Sequence, residues 1–383
     1  MKSESEKTTK RNYGSKDHWW IPRFWNGMGM ASWGRLLARN RFQVGPRCLA
    51  MAAIHSSITP INTALRGWQS LRYGQRIRRT ELIDDPIFVV GHWRSGTTLL
   101  HELMVLDPRY TYADTYECYA PNHFLVSGWV VRPTVGLLLP KRRPMDNMAA
   151  GWDKPQEDEF ALCNMGARSP YYSIAFPNRP QDEEYFELAD VPSEELRRWK
   201  ESLRWFLKCI TVQNPKRIVL KSPPHTFRIK VLTEMFPRAK FIHIVRDPFV
   251  LFPSTINLWR RLYRDQGFQT PRFEEMEEQI FRVLTEMYRV FERDRQLLAP
   301  GQICDVRYED LVQQPIEQMR QVYEKLELGG VEDVLPAWQQ YFADKADYKT
   351  NRYEVSPQLR EVIARRWRDY FERYGYATEP VEA

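Results

Sequence analysis

The segment IFVVGHWRSGTT, residues Ile87 to Thr98, joins a short apolar, β-rich run to a loop with two glycines. Apolar residues then recur at helical spacing over Leu99–Leu106, so the pattern predicts a strand, a glycine turn and a helix. Gly91 and Gly96 permit a sharp turn and close approach of the backbone. The amides of residues 95–98 would stand at a helix N-terminus, which attracts negative charge. The segment therefore predicts an anion-binding loop.

The spacing of the two glycines matches that of a triphosphate-binding P-loop, but the next residue differs. Thr97 stands where kinases and GTPases have the lysine that reaches the β- and γ-phosphates. The cation lies inside the loop instead, as Arg94, with the hydroxyls of Thr97 and Thr98 as further donors. This arrangement disfavours a triphosphate and favours a nearer group such as a 5′-phosphosulfate.

Two further predicted strands end in side chains that carry chemistry. RIVLKSPPH delivers Lys221 to a strand end and His225 to the next helix start, and FIHIVRDPFVLFPST does the same with Arg246 and, two turns later, Ser254. Ligands bind at this edge of open α/β sheets. We expect Lys221 to stabilise a transferring group, His225 to act as a base, and Arg246 with Ser254 to form a phosphate site separate from the first loop. A solvated strand end and a helix cap are the purely structural alternatives.

Short apolar runs alternate with helical patterns along the chain, which predicts a three-layer α/β fold with a central, mainly parallel sheet flanked by helices. The predicted strands lie at 87–90, 218–220, 241–245 and 303–308. The predicted helices lie at about 227–236, 249–263, 273–297, 316–326 and 357–374.

The domain organisation expected from these patterns is a single domain over 19–383 after a disordered stretch at 1–18. Residues 19–80 lack strand-like alternation and predict a helical N-terminal cover. The α/β core would span 86–375. Residues 111–192 carry few periodic signals, and a segment that long favours an insert that binds the acceptor.

The composition limits the classes of ligand and partner that the chain is expected to bind. The chain has 383 residues, 43% of them hydrophobic, which is enough for a full core. Its 56 Lys and Arg against 49 Asp and Glu give a net charge of +7, which favours an anionic ligand but predicts no nucleic-acid partner. The five cysteines show no metal-ligand spacing, so we expect no metal and a reduced cytoplasm. No apolar run predicts a transmembrane segment, whereas peripheral membrane contact and the oligomeric state stay open.

Taken together, the strand followed by RSGTT, the LKSPPH segment and HIVRDP with its downstream serine resemble sulfotransferases that use 3′-phosphoadenosine 5′-phosphosulfate, PAPS. Tyr308 begins a YEDL segment like the one that places a tyrosine near the adenine in that family. YKTNRY, with Lys349 and Arg352, lies where the family has a late basic loop on the 3′-phosphate. The resemblance implies that Arg94–Thr98 hold the 5′-phosphosulfate.

By the same resemblance, Arg246 and Ser254 would hold the 3′-phosphate. The chain looks closer to the bacterial-type and Golgi branch than to the cytosolic enzymes, because Arg94 replaces a lysine and His225 lies four residues after the lysine of LKSPPH rather than two. Several Golgi enzymes use a glutamate shortly after the first loop's helix, which makes Glu117 a second candidate base. The acidic run Glu157–Glu159 is a third, although three successive carboxylates are more typical of a solvated face or a helix start.

The resemblance implies an enzyme that transfers a sulfuryl group from PAPS to a hydroxyl, less readily an amine, and releases 3′,5′-adenosine bisphosphate by in-line displacement. Arg94 and Lys221 would take the electrostatic role that magnesium plays in kinases, so no metal is needed. The acceptor would be a small molecule or glycan, with carbohydrate or glycolipid preferred. A P-loop kinase and a non-enzymatic nucleotide-binding scaffold at a membrane surface are the alternatives.

Overall fold

The structure is a computed structural model that describes residues 23–135, 151–179, 182–345 and 353–378. The stretch 1–18, which the sequence predicts to be disordered, lies outside this range. So do Lys349 and Arg352.

A five-stranded parallel sheet forms the centre of the described chain, with strand order β2-β3-β1-β4-β5. The strands are β1 Ile87–Val90, β2 Tyr110–Tyr112, β3 Arg217–Lys221, β4 Lys240–Val245 and β5 Ile303–Arg307. Four of them match the predicted runs. The short edge strand β2 was not predicted, and Tyr308 begins a helix instead of ending β5. Because all strands are parallel, their carboxyl ends meet at one edge of the sheet.

Helices cover both faces of this sheet, which explains why the inner strands are continuous apolar runs. The helices before β3 are α1 Met30–Arg39, α2 Leu49–Arg79, α3 Thr97–Met104, α4 Thr115–Tyr119, α5 Phe124–Val135, α6 Asp158–Met165, α7 Tyr172–Ala175 and α8 Ser193–Gln213. Those after it are α9 Ile229–Met235, α10 Pro248–Gln266, α11 Met276–Asp294, α12 Tyr308–Gln313, α13 Pro315–Lys325, α14 Val331–Asp344, α15 Pro357–Arg366 and α16 Arg368–Tyr374. The predicted three-layer α/β class is confirmed.

The N-terminal cover is helical, as predicted, and consists of α1 and α2. The last predicted helix is instead two, because the chain breaks at Trp367, whose buried ring packs on Phe252 and Phe281. Helix α14 was not predicted. None of the described helices is both long and apolar enough to cross a membrane.

The described parts of the insert, 111–135, 151–179 and 182–192, form a packed layer that contains several helices, although their sequence shows little periodicity. Phe24, from the N-terminal cover, lies with its ring 4.2 Å from that of Phe160 in α6. Asn164 donates hydrogen bonds to the backbone oxygens of Phe24 (2.7 Å) and Cys118 (3.2 Å). These contacts fix α6 between the cover and α4, so the insert has a defined position above the sheet edge.

Glu117, one of the candidate bases, caps the start of α4. Its backbone amide donates to the Asp114 carboxylate (2.8 Å), and its own carboxylate accepts from the Asp114 amide (3.0 Å), which is a capping box. Gln213 donates to the same carboxylate, and Arg132 lies 3.7 Å away. Burial, reinforced by the Asp114 charge, raises the pKa of Glu117 to about 8. The shift favours the neutral carboxyl of Glu117 in the folded protein near neutral pH.

This raised pKa predicts a pH-dependent stability. Between the usual carboxyl pKa and about 8, the folded chain binds a proton that the unfolded chain has lost, so the free energy of unfolding falls as pH rises through that interval. Glu117→Gln keeps the neutral form at every pH. We expect the variant and the natural protein to have similar unfolding free energies at acidic pH, and the variant to be more stable by about 1 kcal/mol or more at pH of roughly 8.5. Urea denaturation at both pH values measures the difference, and equal curves at the alkaline pH contradict the prediction.

Candidate active site

The glycine loop between β1 and α3 is tightly enclosed. Gly91 and Gly96 have φ of +145° and +108°, and an added Cβ would lie 2.4 Å from the Ile244 oxygen at the first and 2.4 Å from a Tyr308 ring carbon at the second. Arg94 also adopts a left-handed conformation, with φ of +72°. A residue with a side chain is strained there, and such strain is concentrated at functional sites.

Hydrogen bonds from the loop itself and from the turn after β3 hold this conformation. The Gly91 amide donates to the Thr226 hydroxyl oxygen (2.8 Å), and that hydroxyl donates to the Gly91 oxygen (3.2 Å). Ser95 donates its hydroxyl to the His92 oxygen (2.7 Å). Thr97 and the partly exposed Thr98 form the first turn of α3. Contacts within the protein itself therefore hold the loop in this conformation.

The structure brings Arg94, Arg246, Ser254 and Tyr308 together. Arg94 donates from Nε to the Ser254 hydroxyl (3.0 Å), and Arg246 donates to the Arg94 backbone oxygen (2.9 Å). The Arg246 guanidinium lies 4.0 Å from the centre of the Tyr308 ring. Arg246 and Ser254, expected to form a phosphate site separate from the first loop, lie next to that loop, because β4 pairs with β1 and α10 therefore begins beside it.

The backbone of Arg246 is fixed by Tyr370, whose hydroxyl accepts from its amide and donates to its oxygen, both at 3.1 Å. Burial lowers the pKa of Arg246, Tyr308 opposes this shift, and the like charge of Arg94 adds to it. The two like charges are therefore close enough to affect each other, and such a partly buried pair favours a bound anion nearby.

The acidic run Glu157–Glu159 pairs, residue by residue, with basic side chains at the end of β3 and in the turn after it. The pairs are Glu157 with Lys221 (2.8 Å), Asp158 with His225 (2.7 Å) and Glu159 with Arg228 (2.6 Å). The interpretation of the run as a helix start is confirmed, since α6 begins at Asp158. Its interpretation as a solvated face is wrong, because the second and third carboxylates are buried against their partners.

His225 lies in the interior rather than in a cleft. Its ring stands edge-on to Phe88, and its Nε2 faces Asp158, which also accepts from Ser222 (2.8 Å). Burial would raise the pKa of Asp158, but the charge and hydrogen bond of His225 bring it below its usual value. The second pair thus behaves as a buried ion pair or charge-assisted hydrogen bond.

Glu157 differs from its two neighbours because its side chain is 13% exposed, whereas those of Asp158 and Glu159 are 0% exposed. Tyr171 donates its hydroxyl to Glu157 (2.5 Å), and Trp93 of the glycine loop donates its indole N–H to the Tyr171 oxygen (2.8 Å). A continuous hydrogen-bonded path therefore runs from the loop to the Glu157–Lys221 pair.

Sequence reasoning missed this path. For Trp93 a signal exists, because the residue lies inside the glycine loop. Tyr171 has no such signal, because it lies far from the loop in sequence and reaches it only through the fold. The contacts of Glu117 described above lie with α4, α5 and α8 instead.

Comparison with known proteins identifies the family of the chain. A model of the sulfotransferase family matches residues 86–333. The omega-hydroxy-beta-dihydromenaquinone-9 sulfotransferase Stf3, from Mycobacterium bovis and from Mycobacterium tuberculosis, is 46% identical over 358 residues, 93% of this chain and 92% of the relative.

Solved structures with a similar fold are sulfotransferases too. STF9 from Mycobacterium avium aligns with a TM-score of 0.60 at 17% identity, over 91% of this chain and 96% of that one. STF1 from Mycobacterium tuberculosis aligns with a TM-score of 0.59 at 16% identity, over 95% of both chains. The fold is shared, and the family match together with 46% identity over nearly the whole chain shows that this protein belongs to the sulfotransferase family of enzymes.

Proposed function

We propose that this sulfotransferase uses PAPS as its donor, needs no metal, and transfers the sulfuryl group to a hydroxyl of a menaquinone-type lipid. The observation that carries the proposal is the hydrogen-bonded path from the glycine loop through Tyr171 to Glu157 and Lys221. The path joins the glycine loop, which carries Arg94, to the carboxylate of Glu157 and the ammonium group of Lys221. Sulfuryl transfer requires both an anion-binding group and a proton acceptor.

The residues present fit a 3′,5′-substituted adenine nucleotide. Cβ atoms at Gly91 and Gly96 would collide with Ile244 and Tyr308, so only glycine at these two positions lets the loop keep the conformation that would receive a 5′-phosphosulfate. Arg246 and Ser254 offer charge and a hydroxyl for a 3′-phosphate, and Arg94 of the loop, which donates to Ser254, would serve the 5′-phosphosulfate. Tyr308 offers its ring as a platform for adenine.

PAPS, when bound, supplies a sulfuryl group whose sulfur forms a bond to the acceptor oxygen while its bond to the bridging phosphate oxygen breaks. Lys221 and Arg94 would balance negative charge that grows on the leaving side, and the amides at the start of α3 would hold the 5′-phosphate. The loop and the Lys221 end of β3 lie at the same sheet edge, so most of the rate would come from positioning and electrostatics.

Glu157 is the group we propose as proton acceptor, in preference to His225 or Glu117. It is the member of the acidic run that solvent reaches, and Lys221 and Tyr171 already orient its carboxylate. The proton lost by the acceptor hydroxyl would pass to Glu157 as the oxygen attacks. The buried pairs behind it, Asp158 with His225 and Glu159 with Arg228, would then serve to position Glu157.

The acceptor is proposed from the relative. Stf3 carries in its name an ω-hydroxylated dihydromenaquinone, and it is 46% identical to this protein over 93% of the chain. This favours an apolar quinone with a terminal hydroxyl over the carbohydrate or glycolipid that the sequence alone suggested.

The donor site is tested by calorimetric titration with 3′,5′-adenosine bisphosphate. We expect binding that a metal chelator leaves unchanged, and that Arg246→Ala weakens about tenfold or more, because one partly buried charge-assisted contact is lost. Arg264→Ala, which removes an exposed guanidinium from the same helix α10, is the matched control and should leave the affinity unchanged. Tighter binding of ATP that requires magnesium would refute the proposal.

The base is tested by steady-state kinetics with an ω-hydroxylated menaquinone as acceptor. We expect Glu157→Gln to lower kcat about a hundredfold or more, since the acceptor proton loses its receiver. Its affinity for the bisphosphate should stay within about threefold, because the donor contacts are untouched.

Two variants make the kinetic result specific. Asp153→Asn neutralises an exposed carboxylate of the same insert, and Glu117→Gln neutralises the capping glutamate. We expect both to keep kcat within about threefold of the natural enzyme. A large loss in Glu117→Gln with full activity in Glu157→Gln would transfer the role to Glu117.

A further inference from the structure

Helix α2 presents an apolar face to solvent. Ile54, Ile61 and Trp68 recur every seven residues, close to two helical turns, so they share one side of this 31-residue helix. All three are exposed, as is Leu71 with 89% of its surface accessible. The opposite side packs against the rest of the protein. Its buried residues are Ala52, His55, Thr59, Asn62, Gln69, Gly74 and Ile77.

Helix α5 extends this face. The Leu125 amide donates to the Gln69 side chain of α2 (2.9 Å), and one turn later Trp129 and Val130 are exposed, the tryptophan at 76%. Of the twelve large apolar residues exposed in the described ranges, nine lie between Met30 and Val130 on α1, α2, α5 or the turn after α1. Single exposed apolar residues are ordinary, but such a concentration marks an interaction surface. We call Ile54, Ile61, Trp68 and Leu71 of α2 with Trp129 and Val130 of α5 the apolar face.

The charge around the apolar face has one sign. Residues 23–80 contain ten arginines and no aspartate or glutamate. Without these ten, the chain would have 46 basic and 49 acidic residues, so the segment carries more than the whole positive excess. Four of the arginines, at 72, 76, 78 and 79, lie in the last two turns of α2. The apolar face therefore ends in a basic cluster.

A basic groove lies beside the same helix. It has a volume of about 1350 Å³, and its lining, contributed largely by α1, α2 and α8, includes eight basic and two acidic residues. Some of these cations have partners, since Arg39 and Arg168 both contact Asp182. Arg66 and Arg78 reach it from α2 itself. The groove adds to the positive field on this side of the protein.

We propose that the apolar face and its arginines bind the surface of an anionic lipid bilayer. Helix α2, about 46 Å long, would lie in the plane of the membrane, with Trp68 and Trp129 at the level of the headgroups and the arginines on anionic lipids. A second copy of the chain is a poorer occupant. A symmetric dimer would bring this arginine-rich layer against itself, with no acidic residue of the segment to balance it.

Part of the apolar face belongs to the same segment of the chain as part of the candidate active site. Helix α5, which carries Trp129, belongs to the same insert as α6, which carries the Asp158 and Glu159 pairs and begins next to Glu157. If the acceptor is the lipid proposed above, docking here would bring the membrane to the insert that receives it. The docking surface itself does not depend on that proposal.

Vesicle co-sedimentation of the full chain tests the surface. We expect binding to vesicles that contain phosphatidylglycerol, weaker binding to phosphatidylcholine alone, and a decrease at high salt. The double variant Ile61→Glu/Trp68→Glu should lower the partition about tenfold or more, because two anchors become charges that anionic lipid repels. Ile83→Glu/Leu297→Glu, which makes the same change at exposed apolar residues outside the face, should bind within about twofold of the natural protein.

Thermal unfolding and bisphosphate binding of the double variant should match those of the natural protein, which separates loss of docking from loss of fold or of the donor site. The proposal is overturned by a natural protein that does not sediment with anionic vesicles, or by equal loss in the two double variants. It is also overturned by a dimer in sedimentation velocity that Ile61→Glu/Trp68→Glu dissociates while vesicle binding persists unchanged.

Discussion

The three consecutive carboxylates of Glu157–Glu159 and their basic partners Lys221, His225 and Arg228 depend on each other. Arg228 and Glu159 are fully buried, and the guanidinium also donates to the backbone oxygens of Tyr185 and Phe186. A buried charge without its partner costs several kcal/mol, of the order of 3–5 when one member of a pair is removed. Neither the insert nor the turn after β3 can therefore take another position cheaply. This constraint fixes α6 over the sheet edge and leaves Glu157, at the outer end of the run, at the boundary with solvent.

The same constraint explains why the candidate site is continuous although its parts come from distant segments. The loop after β1 supplies Arg94 and Trp93, β4 with α10 supplies Arg246 and Ser254, and the insert supplies Tyr171. Parallel pairing of β1 with β3 and β4 brings the first two groups to one edge. The ion pairs bring the third, so Tyr171 can bond to the loop indole and to Glu157 at once. A side chain that has two partners in different segments is held in one orientation, which is what transfer by positioning requires.

The sequence predicts the sheet and its functional edge well, because both depend on local signals. Apolar runs bounded by turn residues predicted four strands. The ends of the three inner strands then pointed to the glycine loop, Lys221 and Arg246 as functional positions. The structure of the insert was harder to predict, since a run of three carboxylates does not reveal whether buried basic side chains will pair with it. Their partners at 221, 225 and 228 follow a strand in another part of the chain, and only the fold reveals the match. His225 shows the same limit, since a histidine at a helix start after a strand suggests a base, whereas burial beside Phe88 and Asp158 gives it a structural partner.

The N-terminal cover and the insert also stabilise each other by direct packing. The insert must be held from above as well as by its ion pairs, and Phe24 with α2 provides that contact through Phe160, Asn164 and the bond from Leu125 to Gln69. One side of α2 packs against the insert and the rest of the protein in this way. Its other side needs only to be soluble, and a helix of this length could achieve that with alternating charges. It carries isoleucine, tryptophan and leucine instead, with arginine as its only charged residue type. A face that departs from the composition of a solvated helix while its reverse side packs normally is best explained by a second contact, and the single sign of its charge indicates an anionic one.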